Sequence, residues 1–230
     1  MESALSVKSI SADELFINRL PPASRRAFLQ FIKLSLLEQS GWYLGGGTAL
    51  ALQVGHRQSV DLDFFTPQPN FSELALERQL LKTADWKTNF SESSTIYGEF
   101  MGAKVSFIAY PFFIPSPQRT VCGTIRLLIP ADIAVMKVIA TSQRGKKRDF
   151  IDLFWYCHNQ EELVAVIRRV PQHYPGQAHN LSHFLKSLTY FVDAEHDPMP
   201  KLFFKANWLT VKKFFQAEAP LVIKEFFQNA

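Results

Sequence analysis

Residues 45–65, GGGTALALQVGHRQSVDLDFF, combine residue types that bind phosphate with residue types that bind a divalent metal. Gly45–Gly47 predict a tight turn into a helix, where free backbone N–H groups bind anions, and the Thr48 hydroxyl can add a contact to phosphate. Asp61 and Asp63 alternate along a predicted strand, so both carboxylates project from one face. Because adjacent carboxylates repel each other, and Mg²⁺ binds oxygen ligands while leaving positions for phosphate oxygens, the stretch predicts a metal–triphosphate site.

Each part of this stretch also has an ordinary structural explanation. A D-x-D pair often lies on a solvated strand face, and a run of glycines is usually a turn. Arg57 could pair with Asp61 or Asp63 and hold the strand, and His56 could cap or pack locally. The order of the parts favours a site, because G-G-T is followed after twelve residues by D-L-D on a predicted strand.

The flanking sequence predicts the elements that would position these residues. Capping residues predict a short helix over 9–20, where Ser11 precedes Asp13 and Glu14, and apolar spacing predicts an amphipathic helix over 23–39. Around the motif we expect a strand, a helix and a strand, at 42–44, 48–55 and 59–65. Beyond it we expect a helix at 72–82, strands within 86–128, and helices at 131–143, 146–157, 161–170, 179–191 and 207–227.

The composition is that of an ordinary soluble globular protein, with 47% hydrophobic and 20% charged residues in 230. The net charge of +4 and the pI near 9.0 allow a polyanionic partner without requiring one. Cys122 and Cys157 lack metal-type spacing and predict free thiols in a reducing compartment, with a disulfide as the alternative. The sequence has no secretory signal pattern and no apolar run of about 18 residues, so we expect a cytoplasmic protein with no membrane partner.

Two motif blocks resemble the AbiEii/AbiGii-type nucleotidyltransferases, a branch of the DNA polymerase β-like superfamily that includes toxins of bacterial abortive-infection and toxin–antitoxin systems. The first block, within 42–66, is G-G-T-A-L-A-L followed by H-R-x-S-x-D-L-D-F-F, and the second, within 130–154, is A-D-I-A-V-M-K followed by K-K-R-D-F-I-D-L. The resemblance implies an α/β (α+β) fold: a polymerase β-like core with a mixed sheet and a helical C-terminal part. It implies three regions: N-terminal helices packing on the core, the nucleotidyltransferase core, and a helical region that contributes to the site, at 1–40, 41–129 and 130–230.

The resemblance implies how the first block would hold an NTP. Gly46, Gly47 and Thr48 match the motif that grips the triphosphate. Asp61 and Asp63 match the catalytic carboxylates that hold Mg²⁺, for which Mn²⁺ could substitute.

The resemblance also implies roles in the second block. Lys137 matches a catalytic lysine that reaches the nucleotide phosphates. Asp149 and Asp152, which share one helix face, match a catalytic acidic pair that could fix Lys137 or an arginine, or take a proton. Arg57 and Arg148 match basic positions that neutralise phosphate or orient the carboxylates. Without the resemblance, Lys137 would be a solvated helix lysine and Asp149 a charge that favours the helix dipole.

One position departs from the superfamily pattern. Polymer-making members usually carry a third carboxylate on a later strand, and Ser106 occupies that position in AKVSFIAY, with Glu99 as a substitute on a neighbouring strand. If neither residue serves, a second metal is weakly held or missing. Slow transfer of single nucleotides, or a non-catalytic version of the fold, is then expected in place of polymerase-like turnover.

The resemblance to toxins implies RNA, particularly a tRNA 3′ end, as the acceptor. Two basic stretches fit this acceptor: Arg144 with Lys146–Arg148, and KLFFKANWLTVKKFFQ, where Lys201, Lys205, Lys212 and Lys213 alternate with aromatic residues. The alternative is that these aromatic residues form the core of a helical bundle with its lysines in solvent. A protein side chain or a small molecule stays open as acceptor, and a cognate antitoxin is a candidate partner.

The sequence therefore predicts a Mg²⁺-dependent nucleotidyltransferase that uses an NTP and releases pyrophosphate. Two other classes stay open. A non-catalytic interaction or RNA-binding module on the same fold would not bind Mg-NTP, and a phosphotransferase would release a nucleoside diphosphate.

Overall fold

The computed structural model describes residues 7–38, 40–83, 85–176 and 180–228, and the chain divides into two compact units. The first unit extends to Ile129 and the second begins at Pro130. Cys122 and Cys157 are both free thiols, as the sequence predicts. Among the described residues, no helix is both long and apolar enough to cross a membrane.

A mixed sheet is the framework of the first unit. Its eight strands are β1 (Val7–Ser9), β2 (Tyr43–Leu44), β3 (Leu62–Thr66), β4 (Trp86–Glu92), β5 (Thr95–Phe100), β6 (Ala103–Ala109), β7 (Arg119–Cys122) and β8 (Ile125–Leu127). They lie in the order β1-β7-β8-β2-β3-β6-β5-β4. The β1–β7, β8–β2 and β3–β6 pairs are parallel and the other four pairs are antiparallel, which confirms the predicted mixed α/β architecture.

The hydrophobic core of this unit lies on one face of the sheet. α1 (Pro22–Phe31) places Phe31 against Phe64, Phe100 and Phe107, with ring centroids 4.6–6.3 Å apart. α2 (Gly46–Val54) and α3 (Glu73–Leu81) add buried leucines. In β3, Leu62, Phe64 and Thr66 are buried while the residues between them are partly exposed, which leaves the opposite face available for polar groups.

The second unit is helical. It contains α4 (Pro130–Gln143), α5 (Lys147–Asn159), α6 (Leu163–Arg168), α7 (Val170–His173), α8 (Leu181–Thr189), α9 (Val192–Glu195) and α10 (Trp208–Gln228). α4 packs against α5, α6 and α8, and α10 packs against the same three helices. Phe150 on α5 contacts the rings of Phe191, Trp208 and Phe215, so aromatic residues form its core.

Two expected N-terminal helices are shorter in the structure. Residues 9–20 form two 3₁₀ turns, Ala12–Glu14 and Ile17–Arg19, of which the first has the expected Ser11 cap. The helix expected over 23–39 ends at Phe31, and a 3₁₀ turn follows at Ser35–Leu37.

The β7–β8 hairpin explains the early end of α1. The Thr124 amide donates to the Ile32 carbonyl (2.9 Å), and the Thr124 hydroxyl donates to the Phe31 carbonyl (3.0 Å). A Cβ at Gly123 would lie 2.1 Å from the Ile32 oxygen, so this close approach requires glycine. The last carbonyls of α1 are thus satisfied by a segment distant in sequence, which helical periodicity cannot predict.

Candidate functional site

The glycine-rich turn places the start of α2 directly against the carboxylate of Asp63. The Gly45 amide donates to the Asp63 carbonyl (2.9 Å) and joins the end of β2 to β3. Gly46 has φ +64°, in the left-handed region that favours glycine. A Cβ at Gly46 would lie 3.4 Å from Asp63 Oδ2, in van der Waals contact with the carboxylate. The amides at the start of α2, an anion-binding feature, therefore lie beside a carboxylate.

Thr48 is buried, and its hydroxyl is hydrogen-bonded to other groups of the protein. It is 2% exposed, and its hydroxyl donates to the Asp61 carbonyl and lies 2.8 Å from the Ser59 hydroxyl. These bonds tie α2 to the segment entering β3, and so hold the backbone of Asp61 in place. The role of Thr48 toward phosphate stays a prediction from the sequence, whereas its structural role is visible. Ser59 belongs to the H-R-x-S-x-D-L-D-F-F motif, but no role was predicted for it from the sequence.

Ser106 lies next to Asp63 on the neighbouring strand. The two residues are paired in the β3–β6 register, and the Ser106 hydroxyl donates to Asp63 Oδ1 (2.7 Å). Glu99 on β5 pairs with Lys104, while Tyr97 is the β5 residue opposite Ser106. The strand position expected for a third carboxylate thus holds a hydrogen-bond donor, and the structure brings Ser106, not Glu99, to Asp63.

The donor set fits a magnesium ion that is shared with a substrate. Asp61 and Asp63 supply carboxylate oxygens, and the described residues contain no cluster of three or more His, Cys, Asp or Glu side chains suited to a metal. Mg²⁺ is commonly held by one or two carboxylates, with phosphate oxygens and waters completing its six positions. The Asp63 carboxylate lies beside an anion-binding helix start and Asp61 precedes it by two residues, so these two residues could hold Mg²⁺ in that mode.

In the second unit, Lys137 lies between the two aspartates that the sequence singled out. Its Nζ is 2.6 Å from Asp149 Oδ1 and 2.7 Å from Asp152 Oδ2, and the three side chains are at most 5% exposed. Lys137 comes from α4 and both aspartates come from α5. The structure confirms that Asp149 and Asp152 share a helix face and contact Lys137, which is therefore not a solvated helix lysine.

Arg144 completes this cluster from the loop between α4 and α5. Its Nε donates to Asp149 Oδ2 (2.8 Å) and its Nη2 donates to Oδ1 (3.0 Å). Burial of Asp149 opposes its charge, but Lys137 and Arg144 outweigh burial and hold the pKa of this carboxyl below its ordinary value. The sequence placed Arg144 only in a basic cluster. Gly145, with φ +53°, signals the chain reversal that turns Arg144 back toward α5.

The other expected basic residues differ in environment. Arg57 is 3% exposed and its Nη1 donates to the Gln58 carbonyl (2.9 Å), and His56 is also buried. Arg148 is exposed on the first turn of α5. Neither environment tests a role toward a nucleotide, so the binding roles of Arg57 and Arg148 stay predictions.

Several of the expected RNA-binding cations have partners within the helical unit. Lys146 lies 3.4 Å from Asp197, and the buried Lys147 ammonium donates to backbone carbonyls of Glu195 and Asp197 and stacks on Trp208. Lys212 pairs with Glu195 (2.6 Å). Because Trp208 and the buried Phe215 also pack in the core, the bundle-core alternative is correct for these aromatic residues.

Comparisons with known proteins agree with this geometry. The family described as "Nucleotidyl transferase AbiEii toxin, Type IV TA system" matches residues 35–111, a range that includes the glycine turn, the D-L-D strand and Ser106. An uncharacterised protein of Aquifex aeolicus is 30% identical over 217 residues, which cover 93% of this chain and all of the relative.

Solved structures show the same fold at low sequence identity. A candidate nucleotidyltransferase of Helicobacter pylori is 17% identical with a TM-score of 0.53, and the match covers 91% of this chain and 99% of that chain. MenT4, a nucleotidyltransferase toxin of Mycobacterium tuberculosis, is 15% identical with a TM-score of 0.51, and the match covers 87% of this chain and 86% of MenT4. With the glycine turn and the D-L-D strand in the matched range, this chain belongs to the AbiEii family of toxin-type nucleotidyltransferases.

Proposed function

We propose that the protein transfers a nucleoside monophosphate from a Mg²⁺-bound NTP to a hydroxyl of an RNA acceptor, such as a tRNA 3′ end, as the toxin of a toxin–antitoxin pair. The observation that carries this proposal is that Gly46, at the start of α2, lies beside Asp63 Oδ2. An anion at the start of α2 would lie beside the Asp63 carboxylate, and two negative groups at that distance require a cation between them.

The residues of the first unit would divide the work as follows. Asp61 and Asp63 would hold Mg²⁺, which supplies charge neutralisation and lowers the pKa of an attacking hydroxyl. The amides of Gly46 and Gly47 would bind phosphate oxygens. Ser106 holds Asp63 Oδ1, and Oδ2 faces Gly46. Since transfer of a nucleotidyl group depends mainly on positioning and electrostatics, such fixed carboxylates and amides are suited to it.

RNA is proposed as the acceptor on chemical and family grounds. A net charge of +4 is compatible with a polyanionic acceptor, and the MenT4 neighbour is a nucleotidyltransferase toxin. Membership of a toxin family also supports a cognate antitoxin as the protein partner.

The decisive experiment follows label from each α-³²P-NTP, with Mg²⁺ or with EDTA, onto total RNA and total protein. Asp63→Asn removes the charge while keeping the side-chain size, and Glu92→Gln is the matched control because Glu92 is an exposed carboxylate on β4 of the same sheet. We expect Mg²⁺-dependent label on RNA with wild type and Glu92→Gln, and a loss of at least about a hundredfold with Asp63→Asn.

Other outcomes of this assay would contradict the proposal. Label on protein in place of RNA would show that the acceptor is a protein. Release of nucleoside diphosphate without pyrophosphate would indicate a phosphotransferase. Equal labelling by Asp63→Asn and wild type would show that the Asp63 carboxylate is not needed for transfer. If folded wild type transfers no label and binds no Mg-NTP, the protein is an interaction module on this fold.

A further inference from the structure

Arg119 on β7 and Arg126 on β8 lie on the same face of the sheet as Asp63 on β3. The strand registers pair Thr120 with Leu127, Leu127 with Leu44, and Leu44 with Phe64. Shifting each of these pairs by one residue places Arg119, Leu128, Gly45 and Asp63 in one row across the sheet. Arg119 is therefore three strands from Asp63, which is about 14 Å at the usual strand spacing.

Arg126 lies on this face in the next row of side chains. It is paired with both Val121 and Tyr43, and its guanidinium lies 5.7 Å from the centre of the Tyr43 ring. Tyr43 is stacked on Phe65, with ring centroids 6.0 Å apart, and Phe65 follows Asp63 on the same face of β3. A continuous line of side chains thus joins Arg126 to the strand that carries the proposed catalytic carboxylate.

Arg119 and Arg126 border a cleft of about 440 Å³ in the first unit, which Glu38, Ser40 and Trp42 also line. Arg119 Nε is buried and has no hydrogen-bond partner within the described part of the chain. Buried donors are normally satisfied, so a donor of this kind beside a cleft points to a ligand or water. The charged side chains among the described lining residues are two arginines and the one carboxylate of Glu38.

We propose that Arg119 and Arg126 form a phosphate subsite that holds the sugar–phosphate backbone of the acceptor RNA, upstream of the hydroxyl at Asp63. The planar guanidinium matches phosphate oxygens with paired donors, and two such groups on adjacent strands suit a phosphodiester. The distance of about 14 Å between Arg119 and Asp63 is longer than one phosphate group can span, and it suits a single strand of several nucleotides. This inference deepens the proposed function and rests on it for the identity of the acceptor.

The test measures binding of a fluorescent single-stranded RNA by the full chain without NTP, across a range of salt concentrations. We compare wild type with Arg119→Gln, Arg126→Gln and the double variant, and use Arg26→Gln, an exposed arginine on α1 outside the cleft, as the matched control. The double variant should bind on the order of tenfold more weakly, and its log–log salt slope should fall by about 0.7 for each phosphate that the protein no longer neutralises.

Two further variants separate binding from folding. Arg119→Lys keeps the positive charge but lacks the paired N–H donors of the guanidinium. It should therefore keep the salt slope of RNA binding while losing part of the affinity for RNA. Glu38→Gln removes the carboxylate that lines the cleft, so it should bind RNA a few-fold more tightly, a gain that a misfolded variant would not show.

The inference is overturned if the double variant binds RNA with wild-type affinity and slope, or if Arg26→Gln has the same effect. Inorganic phosphate should compete with RNA for wild type more strongly than chloride does at equal ionic strength, because it binds the same guanidinium groups. The double variant should lose this excess competition, and an equal excess in the double variant would contradict the subsite. Absence of NTP labelling would instead contradict the proposed function, because the binding assay contains no NTP.

Discussion

Lys137 is a buried ammonium group that two aspartates hold from a neighbouring helix. Its distances of 2.6 and 2.7 Å to Asp149 and Asp152, with near-complete burial, make the three charges one unit. Burying charges is costly, and mutual pairing offsets that cost only while every partner is present. Loss of activity in a Lys137 variant would therefore report on folding as well as chemistry.

At this residue we predict that Lys137→Met lowers the free energy of unfolding by about 3–5 kcal/mol, because the buried Asp149 and Asp152 carboxylates lose the ammonium group that they share. Adding Asp149→Asn and Asp152→Asn should recover part of this loss, since the uncompensated charges are gone. Urea unfolding of the three proteins measures both effects. Lys186→Met, at an exposed position on α8, should stay within about 0.5 kcal/mol of wild type. A loss below about 1 kcal/mol in Lys137→Met would contradict the charge argument.

At the scale of elements, the turn from β2 into α2 controls the distance between backbone amides and the D-L-D strand. Gly46 meets two requirements there, a positive φ and room beside the Asp63 carboxylate. Gly102, in the turn between β5 and β6, also has a positive φ (+80°), but a Cβ there would meet only Ala23 Cβ, at 3.8 Å. The two glycines therefore separate backbone strain from crowding of the site.

For this element we predict that Gly46→Ala and Gly102→Ala each lose about 1 kcal/mol of stability, because both force a side chain into the left-handed region. Only Gly46→Ala should also lower nucleotide transfer, by roughly tenfold to a hundredfold, because its methyl group would fill space beside Asp63 Oδ2 that the proposed Mg²⁺ and phosphate need. Thermal unfolding and the label-transfer assay measure the two quantities. Equal transfer by both variants would show that the room beside Asp63 is not needed.

At the scale of the whole molecule, each of the two units has its own aromatic core. In the first, Phe31 joins α1 to the sheet through Phe64, Phe100 and Phe107. In the second, the fully buried Phe150 joins α5 to α10 and to Phe191. Local stability in each unit should therefore depend on its own core.

At this scale we predict that Phe150→Ala destabilises the helical unit by about 3–5 kcal/mol through the cavity it leaves. Hydrogen exchange resolved by peptide should then quicken in α5 and α10 and stay at the wild-type rate in the strands. Phe203→Ala serves as the control, since Phe203 is 39% exposed. Equal acceleration in the strands and helices would mean that the whole chain unfolds as one cooperative unit.

The sequence predicted those helices, strands and turns whose signals lie within a few neighbouring residues. The glycine turn, the helix after it and the strand that carries Asp63 are present, because turn chemistry and side-chain alternation act over a few residues. The strand expected over 59–65 begins only at Leu62, so Asp61 lies just before β3. β1 was not predicted, because three exposed residues carry no pattern and are ordered by pairing with β7. The helix at α9 was not predicted either, since it has only four residues.

By itself, then, the sequence determined the order of the site: glycines, a helix start and two aspartates, one just before β3 and one within it. Only the tertiary structure decided which groups those residues meet. Ser106 reaches Asp63 across 43 residues, and the partners of Lys137 come from another helix. The physical reason is that periodicity shows which face a side chain occupies, whereas strand order and helix packing decide what lies opposite that face.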